Sequence, residues 1–66
     1  GEYTYMMRDG RRFQIIQSLG MANWLCSHGH RILKVEDCDK NPRLKVFLFE
    51  DTAELHRLMV QYKKEV

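Results

Sequence analysis

The chain has 66 residues, of which 44% are hydrophobic and 30% charged, the composition of one small globular domain. Its formal net charge of +2 is too balanced to indicate nucleic-acid binding by itself. No apolar run approaches the roughly 18 residues of a membrane span, and the polar, aromatic N-terminus does not resemble a signal peptide. We therefore predict a cytoplasmic protein with no membrane partner, in which Cys26 and Cys38 are free thiols.

Residues 1–10 are interpreted as either a hairpin strand or an N-terminal arm. The dipeptide Asp9-Gly10 favours a tight turn, which would pair residues 3–7 with residues 11–16. Both interpretations stay open at this point. The rest of the chain, residues 11–66, is predicted to form a single domain.

Residues 11–16 are predicted to form a strand, because an aromatic residue and two adjacent isoleucines favour extended structure. A helix is predicted over residues 19–28, with Ser18 as its N-cap and Gly29 directly after its last turn. The spacing of apolar residues assigns the buried face of this helix to Leu19, Ala22, Leu25 and Cys26.

Two further strands and a second helix follow. Residues 30–37 and 43–49 are predicted to be strands that form a hairpin. Asp51 is predicted to cap the second helix, and Glu54 completes a capping box with it. The apolar spacing places four residues on the buried face of this helix: Leu55, Leu58, Met59 and Tyr62.

The predicted fold is a small α+β domain with the order β-α-β-β-α. The strand at residues 43–49 is apolar on both faces, so we expect it at the centre of a three-stranded, mainly antiparallel sheet in the order 1-3-2. Both helices would cover one face of this sheet and leave the other open. The N-terminal segment would either add a strand or fold over the open face.

An open apolar face predicts a protein interface, and a homodimer is its simplest cover. Depending on register, the residues that face away from the helices belong to one of two sets: Leu33, Val35, Phe47 and Phe49, or Ile32, Leu44, Val46 and Leu48. The candidate interface is the first set together with two N-terminal aromatic residues, Tyr3 and Tyr5.

An alternative surface would bind nucleic acid through Arg8, Arg11 and Arg12, because arginines contact phosphates. A solvated turn between edge strands explains the same three residues more simply, since positive charge also prevents edge-to-edge aggregation. Nucleic acid is therefore the less favoured partner.

Metal binding and catalysis are considered for the histidines and cysteines. Cys26, His28, His30 and Cys38 are four potential zinc ligands. Their spacing is not that of a known zinc finger, so we predict no metal and no cofactor. A second alternative is a small ribonuclease toxin, since toxins on a double-stranded-RNA-binding-like fold use one histidine. A lone histidine lacks the acid–base pair that hydrolysis requires, so we assign no catalytic residue and predict no enzyme.

Several motifs resemble a family of short uncharacterised proteins found in Gram-positive bacteria and their phages. These motifs are Ser18–Leu25, Gly29-His30, Ile32, Val35-Glu36, Asn41-Pro42, Val46–Glu50 and Tyr62. The resemblance covers residues 12–62. The chain differs from the family at Trp24, where a tyrosine is expected, and in its N-terminal extension.

The resemblance implies a small domain carried by phages or mobile elements, and it contributes no catalytic residues. From the sequence we therefore expect a non-enzymatic binding or regulatory domain that acts by protein contact. The host cytoplasm is the location that a phage origin implies. Inhibition of a host defence protein is one role of this kind.

Overall fold

The computed structural model describes residues 4–8 and 10–65, with the side chains of residues 7 and 10–65. In chain order the elements are β1 (Thr4–Arg8), β2 (Arg11–Ile16), α1 (Leu19–Ser27), β3 (Lys34–Asp37), β4 (Lys45–Glu50) and α2 (Ala53–Glu65). Strands β2, β4 and β3 are antiparallel neighbours in that order. The predicted α+β fold and its 1-3-2 strand order are confirmed. No described helix is both long and apolar enough to cross a membrane.

The N-terminal segment adds a fourth strand to the sheet. β1 pairs antiparallel with β2, from Thr4 opposite Ile15 to Arg8 opposite Arg11. Gly10, in the connection between them, has a φ of 75°, a conformation that glycine adopts without steric penalty. Residues 4–8 therefore widen the sheet at the edge next to β2.

Helix α1 begins and ends as its sequence predicts. The Ser18 hydroxyl accepts a hydrogen bond from the Met21 backbone N–H at 3.1 Å, which satisfies one of the unpaired donors of the first turn. At the other end the Gly29 N–H donates to the Cys26 carbonyl, and the His30 N–H donates to the Leu25 carbonyl at 3.1 Å. This is a Schellman motif, and Gly29 supplies the positive φ of 94° that it requires.

The buried face of α1 differs from the predicted one. Leu19 is 60% exposed and Cys26 is also exposed. The residues that pack into the core are Met21, Ala22 and Leu25. The predicted face was therefore wrong at both ends of the helix. The helix is rotated so that Met21 replaces Cys26 in the contact with β2 and α2.

Helix α2 begins later than predicted, and a different residue caps it. The Leu55 N–H donates to the Thr52 hydroxyl at 3.1 Å, so Thr52 is the N-cap. The predicted capping box of Asp51 and Glu54 is wrong, because Asp51 makes other contacts. The predicted buried face is correct, since Leu55 and Met59 are buried and Leu58 and Tyr62 pack beside them.

The helices and one face of the sheet enclose the main core. Phe49 of β4 and Ile16 of β2 meet the buried residues of α1 and α2. Phe47 packs against the edge of this core and is partly buried. Across the sheet Ile16, Phe47 and Val35 are register partners on adjacent strands. Ile16 is 3% exposed and Val35 54%, so burial on this face falls toward β3.

A second, smaller core lies on the opposite face of the sheet. Phe13, Val46 and Leu48 are 2%, 5% and 0% exposed within a single chain. Side chains that pack against these three are Ile15, Leu33 and Cys38. Lys34 lies over the ring of Phe13, with its Nζ 5.7 Å from the ring centroid. The central strand is therefore covered on both faces by its own chain, although both helices lie on one side.

An extra residue at the start of β3 reverses the side-chain alternation there. Leu48 is the register partner of Lys34, yet its carbonyl also accepts a hydrogen bond from the Leu33 N–H at 2.8 Å. Two residues thus lie opposite one, which is the arrangement of a β-bulge. As a result Ile32 packs on the helix side, whereas Leu33 packs on the opposite face. The predicted strand over residues 30–37 is shortened to Lys34–Asp37 for the same reason.

Candidate functional site

The predicted protein-interface residues are distributed over both faces of the sheet. Phe49 is fully buried in the main core, and Phe47 packs beside it. Leu33 belongs to the core on the other face, and Val35 is an exposed residue of the edge strand β3. Tyr3 lies outside the described residues. Tyr5 is in β1, but its side chain lies outside the described part of the chain.

Of these residues, Val35 alone is an exposed side chain within the described part of the chain. The second set that the sequence left open is also divided, since Val46 and Leu48 face away from the helices but Ile32 faces toward them. The set of residues that the sequence selected does not form one continuous surface.

A charged cluster is found at one end of the sheet, where β2 starts, β4 ends and α2 begins. The side chain of Asp51 lies at its centre and is 8% exposed. Its Oδ2 lies 2.5 Å from Nε of Arg12, and its Oδ1 is in contact with Nε2 of His56. One nearly buried carboxylate therefore connects the first turn of α2 with the first residues of β2.

A second histidine and carboxylate lie at the same end of the molecule. His30, just after α1, has its Nε2 at 3.5 Å from Oε1 of Glu54 in the first turn of α2. This nitrogen is buried, and it forms no hydrogen bond within the described structure. The two atoms therefore lie close together without a hydrogen bond between them.

Two adjoining depressions are found at this charged end. One has a volume of about 250 Å³ and is lined by Arg11, Arg12, Phe13, Leu33, Glu50 and Asp51. The other, of about 260 Å³, is lined by Arg11, Gly29, His30, Arg31, Leu33 and Glu50. The two depressions share Arg11, Leu33 and Glu50, so together the depressions form one continuous surface. We call it the sheet-end surface.

The arginines of the sheet-end surface differ in how they are held. Arg12 is positioned by Asp51, although 53% of its side chain is exposed. Arg11 and Arg31 are exposed, and neither has an ion-pair partner among the described residues. Of the predicted nucleic-acid residues, Arg11 and Arg12 thus lie together. Arg8 is the register partner of Arg11, and its side chain lies outside the description.

The other histidine, His28, lies apart from this cluster, in contact with α1. Its Nδ1 is 2.8 Å from the Trp24 carbonyl oxygen, and its ring is stacked on Trp24 with 3.9 Å between centroids. The Trp24 ring in turn lies beside the ring of Tyr62 in α2, with 5.4 Å between their centroids. His28 therefore extends an aromatic contact between the two helices.

The four potential zinc ligands considered from the sequence are Cys26, His28, His30 and Cys38. Cys38 packs in the small core, and Cys26 is exposed on α1. In the described part of the chain, no group of three or more histidine, cysteine, aspartate or glutamate side chains is placed to hold a metal ion. Both cysteines are free thiols.

Sequence reasoning missed the charged cluster of Asp51 and His56, and it missed Arg31 as a member of the sheet-end surface. Asp51 was interpreted as a helix cap, so its role between Arg12 and His56 was not considered. The signal in the sequence was Thr52, a second residue of N-cap type directly after Asp51. If Thr52 caps the helix, Asp51 becomes available for side-chain contacts with neighbouring elements.

Comparison with known proteins gives one match. A family model described as "Domain of unknown function (DUF5659)" matches residues 11–66. No curated protein and no solved structure matches the chain. The match begins at the first residue of β2 and therefore includes the three strands and two helices that the sequence predicts.

Proposed function

The chain belongs to this family of domains of unknown function, DUF5659, and we propose that it is a non-enzymatic binding domain that contacts a partner protein through the sheet-end surface. The observation that carries this proposal is the fixed position of Arg12. Asp51 holds its guanidinium while half of the side chain remains exposed. An arginine that is ordered before binding loses little conformational entropy when a partner arrives.

The charge of the surface favours a protein over a nucleic acid. Three arginines, Arg11, Arg12 and Arg31, are accompanied by the carboxylates of Glu50 and Asp51. A phosphate backbone would meet these carboxylates as well as the arginines, and each such encounter is repulsive. A protein can present both signs of charge in a complementary pattern.

The composition of the surface also agrees with a protein contact. Arginine is enriched at protein interfaces, and the centre of an interface is apolar whereas its rim is polar. Leu33 occupies that place, because it is partly buried and lies between the two depressions. This surface replaces the open sheet face that the sequence predicted, since Val46 and Leu48 are already covered.

The biological role that we propose follows from the resemblance of residues 12–62 to short proteins of Gram-positive bacteria and their phages. A small binding domain carried by a phage or mobile element would act in the host cytoplasm. Inhibition of a host defence protein by direct contact is the role that such a domain would serve.

Site-specific photo-crosslinking in host lysate tests the proposal. One variant carries the photo-crosslinking residue benzoylphenylalanine in place of Glu50, on the sheet-end surface. The matched control carries it in place of Gln61, which is exposed on α2. We expect a protein adduct of defined mass from position 50, resistant to nuclease, and none from position 61. A nucleic-acid adduct from position 50, or equal labelling from both positions, would contradict the proposal.

A further inference from the structure

The partner's chemistry can be inferred from the two arginines that Asp51 does not hold. Arg11 enters the sheet-end surface from the first residue of β2, and Arg31 enters it from the connection between α1 and β3. Both are exposed, and neither is neutralised by a carboxylate in the described structure. Guanidinium groups in this situation bind carboxylates with charge-assisted hydrogen bonds.

We propose that Arg11 and Arg31 together bind a carboxylate side chain from an acidic segment of the partner protein. This inference rests on the proposed function and specifies what the sheet-end surface recognises. Arg11 and Arg31 line the same depression, so a carboxylate that enters it lies within reach of two long, positively charged side chains. Arg12 is held by Asp51 and lines the adjoining depression, where its exposed half can meet a neighbouring group of the same partner.

The neighbouring residues restrict what can accompany that carboxylate. Leu33 lines both depressions and offers an apolar contact directly beside the arginines. Glu50 also lines both, so in the second depression two arginines against one glutamate leave a net charge of +1, which a single carboxylate balances. The ligand that fits is therefore a segment in which acidic residues alternate with apolar ones, and not a continuous polyanion.

The fixed backbone around Arg31 supports recognition at this place. Arg31 directly follows the Schellman motif, in which the His30 N–H donates to the Leu25 carbonyl and Gly29 has a φ of 94°. His30 is also held near Glu54, with 3.5 Å between Nε2 and Oε1. The connection that carries Arg31 is thus tied to both helices, and the guanidinium starts from a defined backbone position.

Three probes distinguish the ligands that this site can recognise. The first is a capped nonapeptide with the centre Leu-Asp-Leu-Glu-Leu, the second is the same peptide with Asn and Gln in place of the acids, and the third is a ten-nucleotide thymidine strand. Binding is followed by NMR titration of the arginine Nε–H signals at low and at physiological salt. We expect the acidic peptide to shift the signals of Arg11 and Arg31, and the amide peptide to shift neither.

Variants identify the residues responsible. Arg11→Gln and Arg31→Gln should each weaken the acidic peptide about tenfold, as expected for loss of one charged hydrogen-bond donor. Arg43→Gln, an exposed arginine of the β3–β4 loop, is the matched control and should leave the affinity unchanged. Circular dichroism of each variant verifies that the fold is retained.

The outcomes separate this inference from the proposed function. The inference is wrong if the acidic peptide fails to bind, or if Arg43→Gln weakens its binding as much as Arg31→Gln does. The proposed function still stands in that case, provided that position 50 crosslinks a protein. If the thymidine strand shifts Arg11 and Arg31 more than the peptide does, both are overturned in favour of nucleic-acid binding.

Discussion

Nε of Arg12 lies 2.5 Å from Oδ2 of Asp51, and the Asp51 N–H donates to the Arg12 carbonyl at 3.2 Å. The same two residues are therefore joined by both side chain and backbone, beyond the last residue of the β2–β4 ladder. Because His56 contacts the other carboxylate oxygen, the position of α2 is connected to that of β2 through a single residue.

Replacing the Asp51 carboxylate should destabilise the fold. We expect Asp51→Asn to lower the free energy of unfolding by about 1–3 kcal/mol, because a nearly buried charged contact is lost and Arg12 keeps its charge. Urea denaturation measures this change. The control, Asp39→Asn in the exposed β3–β4 loop, should change it by less than about 0.5 kcal/mol. Equal effects of the two variants would show that the ion pair does not stabilise the fold.

The N-cap of α2 can be assigned by substitution at neighbouring positions. Thr52→Ala should lower the free energy of unfolding by about 1 kcal/mol, because the Leu55 N–H loses its acceptor. Thr52→Ser keeps a hydroxyl acceptor at this position, so its free energy of unfolding should stay close to that of the unmodified protein. Thermal denaturation provides the measurement. A larger loss from Glu54→Ala than from Thr52→Ala would instead support the capping box that the sequence suggested.

Gly20 gives a test of the contact between the two helices. A Cβ at this position would lie 3.0 Å from Oη of Tyr62, which belongs to a rigid ring. Replacing glycine by alanine in a helix normally stabilises it by up to about 1 kcal/mol. We expect Gly20→Ala to give no such stabilisation when Tyr62 is present. In the Tyr62→Phe variant, which lacks the hydroxyl, the same substitution should stabilise the helix. A double-mutant cycle of unfolding free energies tests this, and additive effects would exclude the steric conflict.

The small core on the face opposite the helices should contribute as a true core. Leu48→Ala should lower the free energy of unfolding by about 2–5 kcal/mol, and Val46→Ala provides a milder variant if the first does not fold. Leu44→Ala, at a position 56% exposed, is the control and should have little effect. Sedimentation of the unmodified chain at increasing concentration accompanies the test. A small loss at Leu48, together with dimer formation, would restore the open sheet face that the sequence predicted.

The strand order was predictable because the run at residues 43–49 is apolar on both faces. Such a run belongs at the centre of a sheet, and the short connections leave few alternatives. Ser18 and Gly29 were equally informative, because each residue type has a specific physical role at a helix end. The position of α1 follows from these two signals.

The faces of the sheet were not predictable, because the bulge at Leu33 reverses the alternation within β3. A period of two assigns Ile32 and Lys34 to one face, but the structure places them on opposite faces. Nothing in the local residue types indicates the extra residue. The selection of Leu33, Val35 and Phe47 as one surface depended on that period and could not succeed.

The sheet-end surface was not predictable for a different reason. Its residues come from β2, from the connection after α1 and from the β4–α2 junction, which are distant in sequence. A signal of this kind becomes visible only when the strand order is known. Arg8, Arg11 and Arg12 are recognisable in the sequence because they bracket one turn, whereas Arg31 lies outside any such group of arginines.

The presence of a core on each side of β4 has a consequence for mutational tolerance. In a typical two-layer protein, a saturation scan along the middle strand shows sensitive and permissive sites in turn, since every second side chain points into water. For Val46, Leu48 and Phe49, with Phe47 partly enclosed, the scan should instead find polar replacements rejected at consecutive positions. This short stretch would then accumulate change more slowly than the exposed edge strand β3.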